Sequence, residues 1–126
     1  MRIEHIAIWV EDLEKMRIFY ETYFDAQSNT KYENHMKRFE SYFLTFPDSS
    51  CRIELMHRPD LEIQTNEMIG YAHIAFSLGS KQAVDAWTER LRLDGYTHVD
   101  GPRTTGDGYY ESVCLDPEGN KIELTI

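Results

Sequence analysis

Two histidines and two glutamates recur along the chain in the same order and at nearly the same spacing. The tripeptide His-Ile-Ala begins at His5 and again at His73, and the tripeptide Ile-Glu-Leu surrounds Glu54 and again Glu123. The histidine precedes the glutamate by 49 residues in the first half and by 50 residues in the second. Imidazole nitrogens and carboxylate oxygens suit a divalent ion such as Ni, Zn, Mn, Co or Fe. The four residues are therefore candidate ligands of one metal ion.

The sequence of each half also predicts the same first two elements, a strand followed by a helix. Short segments at 2–10 and 71–78 are rich in Ile, Val, Phe and Ala, which predicts strands. Asp12 and Ser80 each lie seven residues after the histidine, and both residue types favour helix N-termini. Apolar residues at helical spacing follow in both halves, and Gly95 is placed to end the second helix. The repeat thus extends beyond the two tripeptides.

Three strand-like segments follow each predicted helix. They cover 26–33, 37–46 and 51–57 in the first half, and 96–103, 108–115 and 120–126 in the second. The sequence therefore predicts an α+β fold of two tandem βαβββ modules, at about 1–57 and 71–126, joined by a connector at about 58–70. Neither half is long enough to bury an adequate core alone. We expect a single domain over 1–126, and we expect the chain to form a homodimer.

The alternation of side chains along a strand predicts which face carries the candidate ligands. Successive residues point to opposite faces, so His5 shares a face with Ala7 and Trp9 and lies opposite Ile6 and Ile8. The other three candidate ligands are likewise flanked by apolar residues. Ordinary exposed positions on amphipathic strands are the alternative, but four unrelated surface residues have no reason to share one symmetry. Two carboxylates held close together would also repel each other without a cation.

Composition excludes several classes of partner. The chain has 126 residues, with 13 Lys and Arg against 22 Asp and Glu, so its formal charge is −9. An excess of negative charge disfavours binding to nucleic acid or to an anionic membrane surface. No apolar segment approaches the length that spans a bilayer, and Glu4 and His5 interrupt any apolar leader, so a cytoplasmic location is expected. Cys51 and Cys114 lack a CxxC spacing, and we expect both to be reduced.

The paired modules resemble the vicinal-oxygen-chelate superfamily of the glyoxalase, bleomycin resistance and dioxygenase type. Within it the chain is similar to glyoxalase-like proteins related to lactoylglutathione lyase. The segment from Asp116 to Leu124, DPEGNKIEL, is close to the Asp-Pro-Asp/Glu-Gly-x-x-Ile-Glu signature of that family. The resemblance implies a curled, mostly antiparallel mixed sheet around a metal pocket. It assigns the metal ligands, which are His5, Glu54, His73 and Glu123.

The number of ligands distinguishes the chemistries of the superfamily. Extradiol dioxygenases use two histidines and one carboxylate, which leaves room on iron for a diolate and for oxygen. Four protein ligands on an octahedral ion leave two positions, enough for one substrate bound through two vicinal oxygens. The resemblance thus implies a metal-dependent lyase or isomerase that transfers a proton through an enediolate, with Glu123 as the base and Glu54 as its symmetric partner. A small-molecule-binding or antibiotic resistance protein, or an extradiol dioxygenase, on the same fold is the alternative.

Trp9 and Arg58 are the candidate substrate-binding residues. Bacterial glyoxalases similar to this chain carry an arginine at the position of Trp9 and an asparagine at the position of Arg58, and these departures leave dependence on glutathione open. Trp9 could form a wall of the pocket. Arg58 could meet a carboxylate or phosphate of the substrate with its planar guanidinium group.

Overall fold

The chain forms two compact α+β units, each containing one of the predicted modules. The computed structural model describes residues 1–63 and 69–126. The units are Met1–Thr65 and Asn66–Ile126, and their boundary falls in the predicted connector at 58–70, part of which (64–68) lies outside the described residues. The α+β class and the two-module organisation are confirmed. The expectation of one domain over 1–126 stays a prediction.

The first unit is one helix and a mixed five-stranded sheet. Its elements are β1 (His5–Trp9), α1 (Leu13–Phe24), β2 (Gln27–Ser28), β3 (Tyr32–Asn34), β4 (Phe39–Thr45) and β5 (Arg52–His57). The strand order is β1-β5-β4-β2, with β3 also paired to β4, and only the β1–β5 pair is parallel. The single strand predicted at 26–33 is in fact two short strands. The chain between them bonds to β4 at Asn29, whose side chain accepts from the backbone N–H of Phe43 at 2.8 Å.

The second unit repeats this arrangement with one strand fewer. Its elements are β6 (His73–Ser77), α2 (Lys81–Leu93), β7 (His98–Thr104), β8 (Tyr110–Leu115) and β9 (Lys121–Thr125). The strand order is β6-β9-β8-β7; the β6–β9 pair is parallel and the other pairs are antiparallel. Each unit therefore pairs its first strand in parallel with its last, and neither sheet closes on itself.

Both helices begin at the residues that the sequence indicates. Asp12 accepts a hydrogen bond from the backbone N–H of Lys15 at 2.9 Å, and Ser80 accepts one from that of Ala83 at 3.2 Å. These side chains satisfy backbone donors that have no partner within the helix. Gly95, at φ 91°, follows the end of α2 in the left-handed conformation that glycine adopts readily. Among the described residues no helix is long and apolar enough to cross a membrane.

Each helix packs on one face of its own sheet, and the hydrophobic core of each unit lies between that helix and that sheet. In the first unit α1 buries Leu13, Met16, Phe19, Tyr20, Tyr23 and Phe24. The sheet contributes Leu44, Ile53 and Leu55 to that core, all at most 5% exposed. In the second unit the sheet contributes Ile122 and Leu124 to the core. The opposite face of each sheet therefore carries the residues at the alternate positions, and these include the candidate ligands.

The two cysteines are both free, as expected. Cys114 is buried on the helix-facing side of β8, and this burial raises the pKa of its thiol. Cys51 is half-buried, just before β5. Neither takes part in the site described below.

Candidate metal centre

The histidine and the glutamate of each unit are placed by identical strand pairing. In the parallel pair β1–β5 the residue opposite Glu54 is Ala7, and in β6–β9 the residue opposite Glu123 is Ala75. Each histidine lies two residues before that alanine. Because side chains two residues apart point the same way, the histidine and the glutamate project from the same face.

In both units the two side chains approach each other closely. His5 Nε2 lies 3.8 Å from Glu54 Oε2, and His73 Nε2 lies 3.3 Å from Glu123 Oε2. The glutamate side chains are 15% and 18% exposed, whereas those of the histidines are 38% and 44% exposed. The residues on either side of each glutamate are buried on the helix-facing side. In each pair the carboxylate is thus the more buried group and the imidazole the more exposed one.

The separation within each pair fits two donors on one ion. Donors at roughly 2.1 Å from a metal lie about 3.0 Å apart at a right angle and about 4.2 Å apart when opposite. Both observed separations fall between these limits. Over residues 1–63 and 69–126 no group of three or more His, Cys, Asp or Glu side chains is arranged to hold a metal. Within each unit the structure shows one histidine–glutamate pair, and the four-residue ligand set stays a prediction.

His5 has an additional carboxylate partner that the sequence did not indicate. Its Nδ1 lies 2.5 Å from Glu4 Oε2, and the guanidinium group of Arg52 bonds to the other oxygen of Glu4. The hydrogen bond with His5 and the bonds with Arg52 hold the pKa of the Glu4 carboxyl below its usual range. A carboxylate on one imidazole nitrogen fixes the ring and leaves the other nitrogen for a metal. This is the arrangement around His5, whose Nε2 faces Glu54.

Aromatic contacts further hold the first pair. The ring of Phe43 meets that of His5 edge to face, with 5.3 Å between centroids, and the Arg52 guanidinium lies 4.1 Å from the Phe43 centroid. Phe43 is opposite Glu54 in the β4–β5 pairing, so it shares the face of the candidate ligands. The same ladder position in the second unit is Val113, opposite Glu123.

A further glutamate shares the face of the second pair. Glu111 is opposite Thr125, two residues beyond Glu123, so the two glutamates point the same way. Its side chain is 17% exposed, with an oxygen 3.7 Å from Nη2 of Arg103. The sequence could not place Glu111 on a face, because the length of the turn before β8 was not known.

The candidate substrate-binding residues lie against each other in the first unit. The Arg58 guanidinium is 5.0 Å from the centroid of the Trp9 ring. Trp9 ends β1 on the face of His5, and it is 45% exposed. Its indole also meets Phe39 edge to face at 6.2 Å between centroids. This contact forms the first part of an aromatic and cationic surface on the same sheet as the His5–Glu54 pair.

Comparison with known proteins places the whole chain in one family. The family model described as Glyoxalase/Bleomycin resistance protein/Dioxygenase superfamily matches residues 2–124. The uncharacterized protein YqjT of Bacillus subtilis is 28% identical over 130 residues, which cover 97% of this chain and 96% of YqjT.

Solved structures share the fold. A possible glyoxalase from Bacillus cereus is 24% identical with a TM-score of 0.76, covering 100% of this chain and 99% of its own. The trypanothione-dependent glyoxalase I of Leishmania major is 21% identical with a TM-score of 0.79, covering 99% and 86%. The fosfomycin resistance protein FosX of Listeria monocytogenes, solved with Mn(II) and a dihydroxypropylphosphonic acid, is 24% identical with a TM-score of 0.75, covering 98% and 90%. At these identities the likeness concerns the fold alone.

Proposed function

The chain belongs to the glyoxalase/bleomycin resistance protein/dioxygenase superfamily, and from that premise we propose that it is a metal-dependent lyase or isomerase. Its substrate is a small molecule with two vicinal oxygens, and the reaction is a proton transfer between neighbouring carbons. The observation that carries the proposal is the histidine–glutamate pair, which recurs at the same register of the same parallel strand pair in both units.

The proposed metal ligands are His5, Glu54, His73 and Glu123. Two imidazoles and two carboxylates suit Ni, Zn, Mn, Co or Fe. A bound divalent ion would supply the positive charge that makes a carbon next to a carbonyl acidic. Four protein ligands would leave room on the ion for the two oxygens of the substrate and not for molecular oxygen as well, which favours proton transfer over an oxygenase reaction.

Glu123 is the proposed base. Its carboxylate is 18% exposed and 3.3 Å from His73, so it is partly shielded from water and its position is restrained. The carboxylate takes the proton from the carbon next to the carbonyl and returns it to the neighbouring carbon. No oxidant or reductant is required, because the proton leaves one carbon and arrives at the other. Glu54 is the symmetric partner. It binds the metal, and it can also share the proton.

Proton exchange at the substrate carbon tests this function. The metal-loaded full chain is incubated in deuterated water with adducts of 2-oxoaldehydes and several thiols, glutathione among them, and deuterium in the product is followed by NMR. We expect turnover by the wild-type chain, loss of turnover with partial retention of metal in Glu123→Gln, and normal turnover in Glu89→Gln on α2.

Two results would remove parts of the proposal. Unimpaired turnover in Glu123→Gln would remove Glu123 as the base. A chain that binds such small molecules equally well without metal, and that turns over none of them, would favour the binding or resistance function instead.

A further inference from the structure

A cleft of about 420 Å³ opens in the first unit, away from the His5–Glu54 pair. It is lined by Lys37, Arg38, Phe39, Arg58, Pro59 and Asp60. Lys37 and Arg38 come from the turn between β3 and β4, and the last three residues follow β5. The volume lies within the range of pockets that hold small organic ligands, roughly 300–1,000 Å³.

The cleft is positively charged in a chain that is strongly negative overall. Three cationic side chains and one carboxylate line it, whereas the whole chain has a formal charge of −9. Across the described ranges, 1–63 and 69–126, no carboxylate lies within 4.0 Å of Lys37 or Arg38. Because Asp60 offsets only one of the three cations, the cleft keeps a net positive charge that favours an anionic ligand.

The protein provides Arg58 with an ion pair but not with a hydrogen bond for its Nε. Its Nε lies 3.0 Å from Asp60 Oδ1, but the two atoms are not aligned for a hydrogen bond, and this buried nitrogen has no hydrogen-bond partner among the described residues. The Arg58 side chain as a whole is 42% exposed, so the outer nitrogens of its guanidinium group are within reach of a ligand oxygen in the cleft. Arginine is suited to this because its planar donors match a carboxylate or a phosphate.

Aromatic rings form the wall beside these cations. Phe39 contacts Trp9 at 6.2 Å and Tyr32 at 6.1 Å between ring centroids, and Arg58 lies over Trp9. Trp9 and Tyr32 are both about half exposed. The wall offers apolar contact to the body of a ligand whose charged end meets the cations.

The cleft and the His5–Glu54 pair lie along the same face of one sheet. Trp9 is four residues after His5 on β1, a span of roughly 13 Å at the rise of a strand. Phe39 and Phe43 are four residues apart on β4 and point to the same face, and Phe43 contacts His5. One molecule of moderate length could therefore reach both places.

We propose that this cleft binds the anionic group, a carboxylate or a phosphate, of an organic acid whose apolar body rests on Phe39 and Trp9. The inference rests on the proposed function in one respect. If the chain acts at the metal ligands, its substrate is an acid long enough to extend from this cleft to the His5–Glu54 pair. Binding of the anion itself does not depend on catalysis.

Calorimetric titration of the full chain with phenyl phosphate, 3-phenylpropionate and benzyl alcohol tests the proposal. The two anions bind, the phosphate more tightly, and the neutral alcohol does not. Arg58→Gln weakens phenyl phosphate binding about tenfold, and Arg58→Lys, which keeps the charge but loses the planar donors, restores only part of it. Lys37→Gln and Arg38→Gln each weaken it a few-fold, and added salt weakens it further.

Two controls separate this cleft from other sites. Arg90→Gln removes another arginine that lies over a tryptophan, Trp87, in the second unit, and it leaves binding unchanged. Glu123→Gln also leaves binding unchanged, so failure of the catalytic proposal would not affect this result. The proposal is overturned if neither anion binds, if benzyl alcohol binds equally well, if Arg90→Gln has the effect of Arg58→Gln, or if Glu123→Gln abolishes binding.

Discussion

The two units have the same strand pairing but differ in what surrounds the candidate ligands. In both, an alanine opposite the glutamate follows the histidine by two residues. Around His5 lie Glu4, Arg52 and the ring of Phe43. In the second unit the position of Glu4 is occupied by Ala72, that of Arg52 by Lys121 and that of Phe43 by Val113.

The two units thus share the histidine–glutamate pair but not the residues that surround it. The backbone ladder places one nitrogen and one oxygen donor in each unit, and the distances between them, 3.8 and 3.3 Å, are similar. The carboxylate on Nδ1 occurs at His5, where Glu4 supplies it, and Ala72 offers none before His73. We infer that the additional contacts of the first pair suit Glu54 to metal binding, which leaves the transfer of the proton to Glu123.

Replacement of Glu54 or Glu123 by glutamine should reveal the largest difference between the two units, a difference in the rate of proton exchange. Glu123→Gln is expected to lower proton exchange by at least about 100-fold, the usual contribution of a positioned base. Glu54→Gln is expected to lower it less, because that residue mainly binds the metal. The rates are measured by NMR on chains loaded with the same metal. Equal losses in the two variants would contradict distinct roles.

Matched substitutions in the two cores should reveal equal contributions to stability. Leu55 and Leu124 are both fully buried and lie one residue after the candidate ligand in each unit. Replacement of either by alanine should lower the free energy of unfolding by about 2–5 kcal/mol. Urea titration followed by circular dichroism measures this. A loss well below that range in one unit would show that its core is not packed as described.

The carboxylate beside His5 should tune metal affinity. Glu4→Gln removes the charged partner of Nδ1 and is expected to weaken metal binding about tenfold. Ala72→Glu offers the same partner to His73 and is expected to strengthen it. Competition with a chromophoric chelator measures both, with Glu89→Gln as the control. Unchanged affinity in Glu4→Gln would assign that residue to a surface ion pair with Arg52.

Removal of the side chains that cap the two helix N-termini should have the smallest effect, a similar loss of stability in each unit. Asp12→Ala and Ser80→Ala each remove one hydrogen bond to the first turn. We expect each to cost about 1 kcal/mol of stability, measured by the same urea titration. The double variant should cost the sum of the two, since the residues belong to different units. A cost near zero for either would mean that water replaces the side chain.

The strands that carry the candidate ligands are the part of the fold that the sequence predicts best. Glu54 and Glu123 alternate with residues that prove buried, and such strands, packed by a helix on one side, fix the face of every residue. The strand predicted at 26–33 divides in two because both parts pair with β4, a contact that local composition does not encode.

Two kinds of contact could not be predicted: those made by residues outside the strands, and those between residues far apart in sequence. Glu4 reaches the ring of His5 because it precedes β1, where strand alternation does not apply. Arg58 meets Trp9 across 49 positions of sequence, so their contact follows from the pairing of β1 with β5. The metal ligands as a set, the homodimer and the cytoplasmic location stay predictions.

The most direct test of the account is equilibrium binding of Ni²⁺ to the wild-type chain and to single histidine variants. We expect about one ion per wild-type chain, with affinity lowered strongly in both His5→Ala and His73→Ala. His98→Ala, which removes a histidine that bonds to the nearby backbone oxygen of Asp100, should bind as the wild type does. Absence of binding by the wild-type chain, or equal binding by all four proteins, would contradict the assignment of these residues as metal ligands.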